Sequence, residues 1–209
     1  MQRRLAAVLI GVTLVVGTAS ATASTRDPVE SLTVCLAVSS ALPISVAQKT
    51  AILSEANAVW QLHGVVIREG WHDEYCDRLI AVKSDLEARP EDASQLTALA
   101  WVPFVEGRAR RVLFVRVNRA KTLIDGVSPG TRPQELTDLL VAKLIGRSLA
   151  HELGHVLLNT REHETTGLMR ARYRAHDVLR DPPVAYTLDA QQRARLFANQ
   201  ASDTLLARR

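Results

Sequence analysis

Apolar residues in the first half of the chain follow first a strand pattern and then a helix pattern. Leu32–Val38 is a nearly continuous apolar run, which is typical of a core strand. Pro43 and Ser45 then introduce a helix that we predict to run to about His63, where Gly64 ends it. The apolar side of this helix consists of Ala51, Ile52, Leu53, Ala56, Val59, Trp60 and Leu62.

Short apolar runs after this helix predict further strands. Val65–Ile67 and Leu79–Val82 are two of them, and Val112–Val117 is the strongest strand pattern after the first. Leu99–Val102 can pair with Val112–Val117 as a hairpin through Glu106-Gly107, or it can form a core strand. These runs predict a sheet packed against the preceding helix.

Helical spacing dominates the second half of the chain. The Ser128–Gly130 segment closes a loop before a long helix, for which Thr131 or Thr137 is the predicted cap. Pro182-Pro183 breaks the chain, and Asp189–Asn199 is predicted as a closing helix. Apolar positions of the long helix are Leu136, Leu139, Leu140, Leu144 and Ile145, and those packing the closing helix are Leu188, Leu196 and Phe197. The fold class predicted from these patterns is α+β.

The long helix carries the candidate chemistry in the sequence His151-Glu152-Leu-Gly-His155. Residues four apart on a helix have Cβ atoms about 5–6 Å apart, so both imidazoles can reach one metal ion at about 2.0–2.1 Å. Glu152 can then activate a zinc-bound water and later protonate the leaving amine. This spacing is that of a zinc-dependent hydrolase, with Glu152 as the catalytic acid and base.

A catalytic zinc site needs a third protein ligand, for which His163 is the nearest candidate. Eight further helical residues would carry His163 roughly 12 Å along the axis, so the helix must end soon after His155. Asn159 is the predicted end, because asparagine readily takes the left-handed conformation. No glutamate follows Glu164, which argues against a downstream glutamate ligand. The aspartates that remain possible ligands are Asp177, Asp181 and Asp189.

Residues 151–169 resemble the metzincin pattern His-Glu-x-x-His-x-x-Gly-x-x-His, which is followed by a turn containing methionine. The Gly167-Leu168-Met169 sequence looks like that turn. Leu158 and Arg161 occupy the positions of the pattern's glycine and third histidine, and each interval is one residue longer here. The chain therefore resembles a metzincin-like peptidase rather than a member of a named branch.

The resemblance implies a fold and a set of site residues. We expect a metzincin-like zincin with a mixed twisted sheet, a backing helix, a long active-site helix, a Met-turn and a C-terminal helix. One Zn²⁺ would be held by His151, His155 and His163, with Met169 as a structural bed and a protein or peptide as substrate. Tyr173 would assist the metal or the oxyanion as in some metzincins, although ordinary packing is the alternative.

Other histidines and other functions remain as alternatives. His72 and His176 are predicted to lie at the surface, and His63 at a helix end where it favours the dipole. The same histidine spacing also arises by chance in ordinary helices and in metal-binding domains without activity, although Glu152 argues against an inactive domain. A secreted binding module with a structural metal and a zinc amidase acting on a non-protein amide are the competing functions.

The start of the chain has the pattern of a secretory signal peptide. Arg3 and Arg4 precede an apolar run and then small residues, with cleavage predicted after Ala21 or Ala23. We therefore predict a signal peptide over residues 1–23, one catalytic domain over residues 24–209, and a secreted or periplasmic location without a stable membrane anchor.

Cysteine usage agrees with export. Cys35 and Cys76 are the only cysteines, and an even pair in an exported chain most often forms a disulfide. Cys35 could instead bind the zinc of a latent form, but its place in an apolar strand pattern argues against that.

The charge of the chain limits the class of partner. A net charge of +4, which includes two arginines of the predicted signal peptide, is mild, so nucleic acid is not a favoured partner. The series Arg170, Arg172 and Arg174 can favour acidic substrates or form solvated surface. We expect a monomer.

Overall fold

The structure is a computed structural model that describes residues 31–71, 75–87, 97–127, 130 and 132–207, with side chains described through residue 199. The predicted signal peptide, His72 and Thr131 lie outside the described residues.

A five-stranded mixed sheet with strand order β2-β1-β3-β7-β4 forms one layer of the fold. Its parallel strands are β1 (Leu32–Val38), β2 (Val65–Glu69), β3 (Arg78–Ser84) and β7 (Val112–Val115). The edge strand β4 (Ala100–Trp101) pairs antiparallel with β7. The predicted pairing of the Leu99–Val102 segment with the later strand is confirmed.

The predicted hairpin turn at Glu106-Gly107 between those two strands is also confirmed. A separate small hairpin of β5 (Phe104–Val105) and β6 (Arg108–Ala109) lies between them, and Glu106 and Gly107 form its turn. Both turn residues have positive φ, 50° and 76°, as two-residue hairpin turns require. A hydrogen bond from the Arg110 N–H to the Pro103 carbonyl at 2.9 Å lies between this hairpin and the β4–β7 pair.

Helix α1 (Val46–Trp60) begins and ends as the sequence predicts. The Ser45 side chain accepts a hydrogen bond from the Gln48 N–H, and the Gln48 side chain accepts one from the Ser45 N–H. A 3₁₀ turn over Gln61–His63 then leads to Gly64, which is left-handed. These local interactions fix both ends of the helix that backs the sheet.

Helix α2 (Val117–Val127) was not predicted, and its first residue was assigned to the preceding strand. Val117, Ala120 and Ile124 are buried at the helical spacing i, i+3, i+7. The predicted strand Val112–Val117 included the first of these three positions, which left the helical spacing unrecognised.

The long helix α3 (Gln134–Leu158) follows Pro133 and has no side-chain cap. The prediction of Thr137 as the cap was wrong: it lies within the helix, and its hydroxyl donates to the Pro133 carbonyl at 3.5 Å. Instead of a capping side chain, Pro133 before the first turn restricts the backbone there.

Two helices complete the chain after the Met-containing turn. Helix α4 (Ala175–Arg180) was not predicted, and α5 (Ala190–Ala207) matches the predicted closing helix with a longer C-terminal end. Asp189 precedes α5 and accepts a hydrogen bond from the Gln192 N–H at 2.7 Å. Leu196 is buried in the core, as predicted.

Helices α1 and α3 pack directly against each other, with α1 also contacting β2 and α3 also contacting β4 and β7. Gly146 permits their close approach, because a Cβ atom there would lie 2.7 Å from the Ile52 carbonyl oxygen. The Trp60 indole N–H donates to the Ala150 carbonyl at 3.0 Å across the same contact. The predicted α+β class, with a mixed sheet, a backing helix, a long helix and a C-terminal helix, is confirmed.

His63 lies at a helix end, as predicted, in the 3₁₀ turn that follows α1, and its side chain is buried. Its Nε2 lies 3.0 Å from the Tyr186 carbonyl oxygen, and burial lowers the pKa of the imidazole. The neutral imidazole therefore joins this helix end to the Tyr186 backbone by a hydrogen bond.

Within the described residues, no helix combines the length and the apolar composition needed to cross a membrane.

Cys35 in β1 and Cys76 before β3 form a disulfide, with Cα atoms 5.7 Å apart, so Cys35 is not available as a metal ligand. The bond closes a loop across a sequence separation of 41 residues. We expect the double substitution Cys35→Ala and Cys76→Ala to lower the free energy of unfolding by about 4 kcal/mol, because the unfolded chain gains loop entropy. Urea unfolding of oxidised wild type, reduced wild type and the double variant measures this. A reduced wild type as stable as the oxidised protein would contradict the prediction.

Candidate metal centre

Two histidines of the motif lie on one face of α3, near its C-terminal end. The ring centroids of His151 and His155 are 4.9 Å apart, and their Nε2 atoms are 3.2 Å apart. His155 is buried, and His151 is half-buried at the edge of a cleft. The one-turn spacing in the sequence therefore brings two nitrogen atoms to one point.

The helix ends at Asn159, as predicted. Asn159 has φ 47° and ψ 55°, which is left-handed, and its N–H bonds the Val156 carbonyl at 3.3 Å. The Thr160 N–H bonds the His155 carbonyl at 3.2 Å. The Asn159 side-chain oxygen also accepts from the Ala109 N–H at 3.0 Å, which ties the small hairpin to the turn.

This turn brings His163 back to the helical histidines. The ring of His163 lies 5.3 Å from that of His151 and 4.8 Å from that of His155, measured between centroids. Ligand atoms of the three side chains all lie within 4.8 Å of one another. The structure thus places the three predicted ligands together.

The aspartates considered as alternative ligands do not join this group. Among the described residues, the cluster that could hold a metal ion contains the three histidines alone. Asp189 caps α5, and the Asp181 carbonyl accepts a hydrogen bond from Arg147. Asp177 lines the same cleft without entering the cluster.

Backbone carbonyls set the tautomers of the helical histidines. The Nδ1 of His151 lies 2.7 Å from the Leu168 carbonyl oxygen, and the Nδ1 of His155 lies 2.7 Å from that of Thr160. A carbonyl only accepts hydrogen bonds, so each Nδ1 carries the proton. Both Nε2 atoms are then left with lone pairs, the form that binds metals.

This geometry provides a test of whether a metal fits the site. Two lone pairs that face each other at 3.2 Å repel unless a proton or a cation lies between them. Burial lowers the pKa of His151 to about 3 and that of His155 to about 4, which disfavours the proton. Two nitrogen ligands of a tetrahedral zinc ion lie about 3.3 Å apart, from bond lengths of about 2.0–2.1 Å. The histidines fit a zinc ion.

The Gly167-Leu168-Met169 segment forms a buried turn below the histidines. The Glu164 N–H bonds the Met169 carbonyl at 2.8 Å, and the Leu168 N–H bonds the Thr187 carbonyl at 2.9 Å. Gly167 has φ 71°, and a Cβ atom there would lie 2.4 Å from the Thr187 carbonyl oxygen, so only glycine fits. The turn holds the Leu168 carbonyl that orients His151.

Met169 packs against the helix at a position without a side chain. A Cβ atom at Gly154 would lie 2.4 Å from the Met169 Sδ and 3.7 Å from the Trp60 ring. Met169 is 1% exposed. The contact keeps the turn close beneath the helical turn that bears the two histidines.

Glu152 lies in the cleft between the helix and the edge strand. The Val102 N–H, just past β4, donates a hydrogen bond to its carboxylate. Burial raises the pKa of Glu152 to about 8, and the bond from Val102 acts in the opposite direction. The carboxyl group is thus held in place and can carry a proton near neutral pH.

Tyr173 lies beside the histidines with its hydroxyl directed at the Met-containing turn. The hydroxyl oxygen is 2.6 Å from the carbonyl oxygens of Gly167 and Leu168, and the ring is 5.7 Å from that of His151. Burial raises the pKa of this hydroxyl. These contacts are those of packing and turn support, and oxyanion assistance by Tyr173 stays a prediction.

Arg147 is a buried residue of the site region that sequence reasoning missed. Its Nε forms an ion pair with Glu55 at 2.6 Å, and its Nη1 donates to the carbonyls of Val178 and Asp181 and to the Tyr186 hydroxyl. It lies one helical turn before His151 and joins α3 to α1 and to the segment after the turn. An arginine among apolar residues of a core helix was the available signal.

A cleft of about 1410 Å³ opens over the three histidines and Glu152. Its walls come from the edge-strand region, α2, α3 and the segment after the Met-containing turn. His176, by contrast, is exposed on α4 and does not line the cleft. Its predicted surface position is confirmed.

Comparisons with known proteins add a distant likeness. No protein-family model matches the chain, and no curated protein is similar to it in sequence. Among solved structures, the chain is similar to archaemetzincin from Methanopyrus kandleri, with 14% sequence identity and a TM-score of 0.45. The match covers 81% of this chain and 95% of that one. A likeness at this level does not define an activity.

We expect Gly154→Ala to destabilise the metal-free protein by about 1–3 kcal/mol, because its methyl group would overlap the Met169 sulfur. In a Met169→Ala background the same change should stabilise by up to about 1 kcal/mol, since alanine is the better helix former. Urea unfolding of the four proteins in this cycle measures the coupling. Equal effects of Gly154→Ala in both backgrounds would show that the methionine contact is not the cause.

Proposed function

We propose that the protein is a zinc metallopeptidase in which His151, His155 and His163 hold one Zn²⁺. The observation that carries this proposal is the facing pair of Nε2 atoms, each left with a lone pair by a carbonyl at Nδ1. Three protein ligands suit a catalytic zinc, which keeps a position open, whereas structural zinc sites have four. The open cleft above the histidines agrees with this.

Zinc supplies Lewis-acid polarisation of a substrate carbonyl, and its charge favours the ionised form of a nearby carboxyl group. The chain supplies the proton transfers. Glu152, held by the Val102 N–H, takes a proton from the attacking water and delivers it to the leaving amine. A carboxyl group whose pKa lies near neutrality is suited to both transfers.

The remaining residues of the site position these groups. The Leu168 and Thr160 carbonyls hold the imidazoles in the metal-binding tautomer. Met169 fills the space below Gly154 and supports the turn that provides the Leu168 carbonyl. We propose a structural role for Met169 and no direct part for it in the reaction.

The proposed substrate is a protein or peptide, and the proposed location is outside the cytoplasm. A cleft of about 1410 Å³ beside the edge strand has room for an extended peptide segment. The disulfide between Cys35 and Cys76 supports an oxidising compartment. We propose that residues 1–23 are removed as a signal peptide and that residues 24–209 form the secreted catalytic domain.

The test is Glu152→Gln, which should abolish cleavage of casein and of a peptide library while zinc content stays near one ion per chain. The amide keeps the shape of the side chain but cannot accept the proton. Glu162→Gln is the matched control, because Glu162 is exposed and lies outside the cleft lining. Full activity of Glu152→Gln would refute the mechanism. Cleavage of small amides without peptide cleavage would favour the amidase alternative.

A further inference from the structure

The cleft over the metal centre is strongly positive. Six arginines line it, whereas the carboxylic residues among its described lining are Glu152 and Asp177. Arg147 is neutralised by its ion pair with Glu55. The others are Arg119, Arg161, Arg170, Arg172 and Arg174. This excess of positive charge is unexplained by the proposed peptide-bond chemistry.

Arg170 lies over an aromatic ring that is itself beside one of the helical histidines. Its guanidinium carbon is 4.2 Å from the centre of the Tyr173 ring, which is itself 5.7 Å from the His151 ring. The Arg170 Nε is buried and has no hydrogen-bond partner within the described part of the chain. A buried donor without a partner has an energetic cost, so contacts within the described residues do not satisfy this guanidinium fully.

Arg161 lies in the same way over an aromatic ring that is beside the other helical histidine. Its guanidinium carbon is 4.7 Å from the centre of the Phe104 ring, and that ring is 6.3 Å from the His155 ring. The side chain is exposed and makes one weak contact, from Nη2 to the Phe104 carbonyl at 3.5 Å. Each helical histidine therefore has an aromatic ring at its side with an arginine stacked on it.

Arg119 extends this positive surface along the cleft. It belongs to α2, and its Nε is also buried without a partner among the described residues. Arg172 and Arg174 are exposed on the segment that follows Arg170. Positive groups thus occur near the metal centre and farther along the cleft.

We propose that this cleft selects peptides with aspartate or glutamate side chains close to the scissile bond, and that Arg161 and Arg170 determine this specificity. The proposal rests on the peptidase function proposed above. Stacking on Phe104 and Tyr173 orients each planar guanidinium, so less side-chain entropy is lost when a carboxylate binds. Guanidinium groups bind carboxylates through paired, charge-assisted hydrogen bonds.

Single-stranded nucleic acid fits the same surface less well. Binding of bases requires free aromatic faces for stacking. One face of Tyr173 is covered by Arg170 and the other is stacked on Tyr186, at 5.6 Å between ring centroids. Arg161 covers Phe104. Arg161, Arg172 and Arg174 are exposed, whereas Tyr173 and Phe104 already carry arginines on their rings.

The experiment compares two quenched fluorescent peptides that differ only by glutamate or glutamine on each side of the cleavage site. Wild type should cleave the glutamate peptide with a kcat/KM about tenfold higher, as expected for charge-assisted hydrogen bonds. This ratio should fall towards one in Arg170→Gln, in Arg161→Gln and at high salt. A structural defect alone would lower both values and leave their ratio unchanged.

Arg68→Gln is the matched control, because it removes the same charge from an exposed position on β2, at the opposite edge of the sheet from β4. It should keep the wild-type ratio. Arg161→Gln provides a second test if Arg170→Gln fails to fold, since Arg161 is exposed. Equal cleavage of the two peptides by wild type would overturn the specificity proposal and leave the peptidase proposal intact.

A binding measurement distinguishes failure of the peptidase proposal from failure of the specificity proposal. Zinc-loaded Glu152→Gln should bind a labelled glutamate peptide about tenfold more tightly than its glutamine counterpart, as measured by fluorescence anisotropy. Such binding without any cleavage by wild type would refute the peptidase function and retain the acidic-peptide site. Failure to bind either peptide, or stronger competition by a single-stranded oligonucleotide, would overturn the specificity proposal.

Discussion

The candidate metal centre depends on one constraint, namely that α3 must end directly after the helical turn that carries His151 and His155. Asn159 meets this constraint with a left-handed backbone, and its side chain also binds the Ala109 N–H of the small hairpin. A glycine would permit the same backbone but could not make that second bond. The longer spacing in this chain is therefore compatible with the return of His163 to the site.

Backbone carbonyls in this turn and in the chain after it set the tautomers of the two helical histidines. The Thr160 carbonyl belongs to the turn itself, and the Leu168 carbonyl belongs to the Met-containing segment. Each carbonyl places a proton on Nδ1 and leaves the opposite nitrogen free. Tyr173 contacts the Leu168 carbonyl of the Met-containing segment, and Arg147 donates to the Val178 carbonyl of α4. The geometry of the histidines is thus built by contacts distributed over three elements.

Local chemistry made part of this structure predictable from the sequence. The histidine spacing, the helix end at Asn159, and the cap of α1 at Ser45 all depend on residues within a few positions of one another. Helix α2 was missed because its first buried residue, Val117, was included in the preceding strand pattern. Arg147 was missed because its partners, Glu55 and the backbone near residues 178–181, are distant in sequence. The stacking of Arg161 on Phe104 likewise depends on tertiary packing that local patterns do not encode.

Elemental analysis of the purified protein shows whether the three histidines hold a zinc ion. Wild type is compared with His163→Ala, and His176→Ala is the matched control. His176 is exposed on α4 and lies outside the cluster, so it controls for the loss of a histidine. We expect one zinc ion per chain in wild type and in His176→Ala, and little or none in His163→Ala after dialysis. Absence of zinc from the wild type, or full retention by His163→Ala, would contradict it.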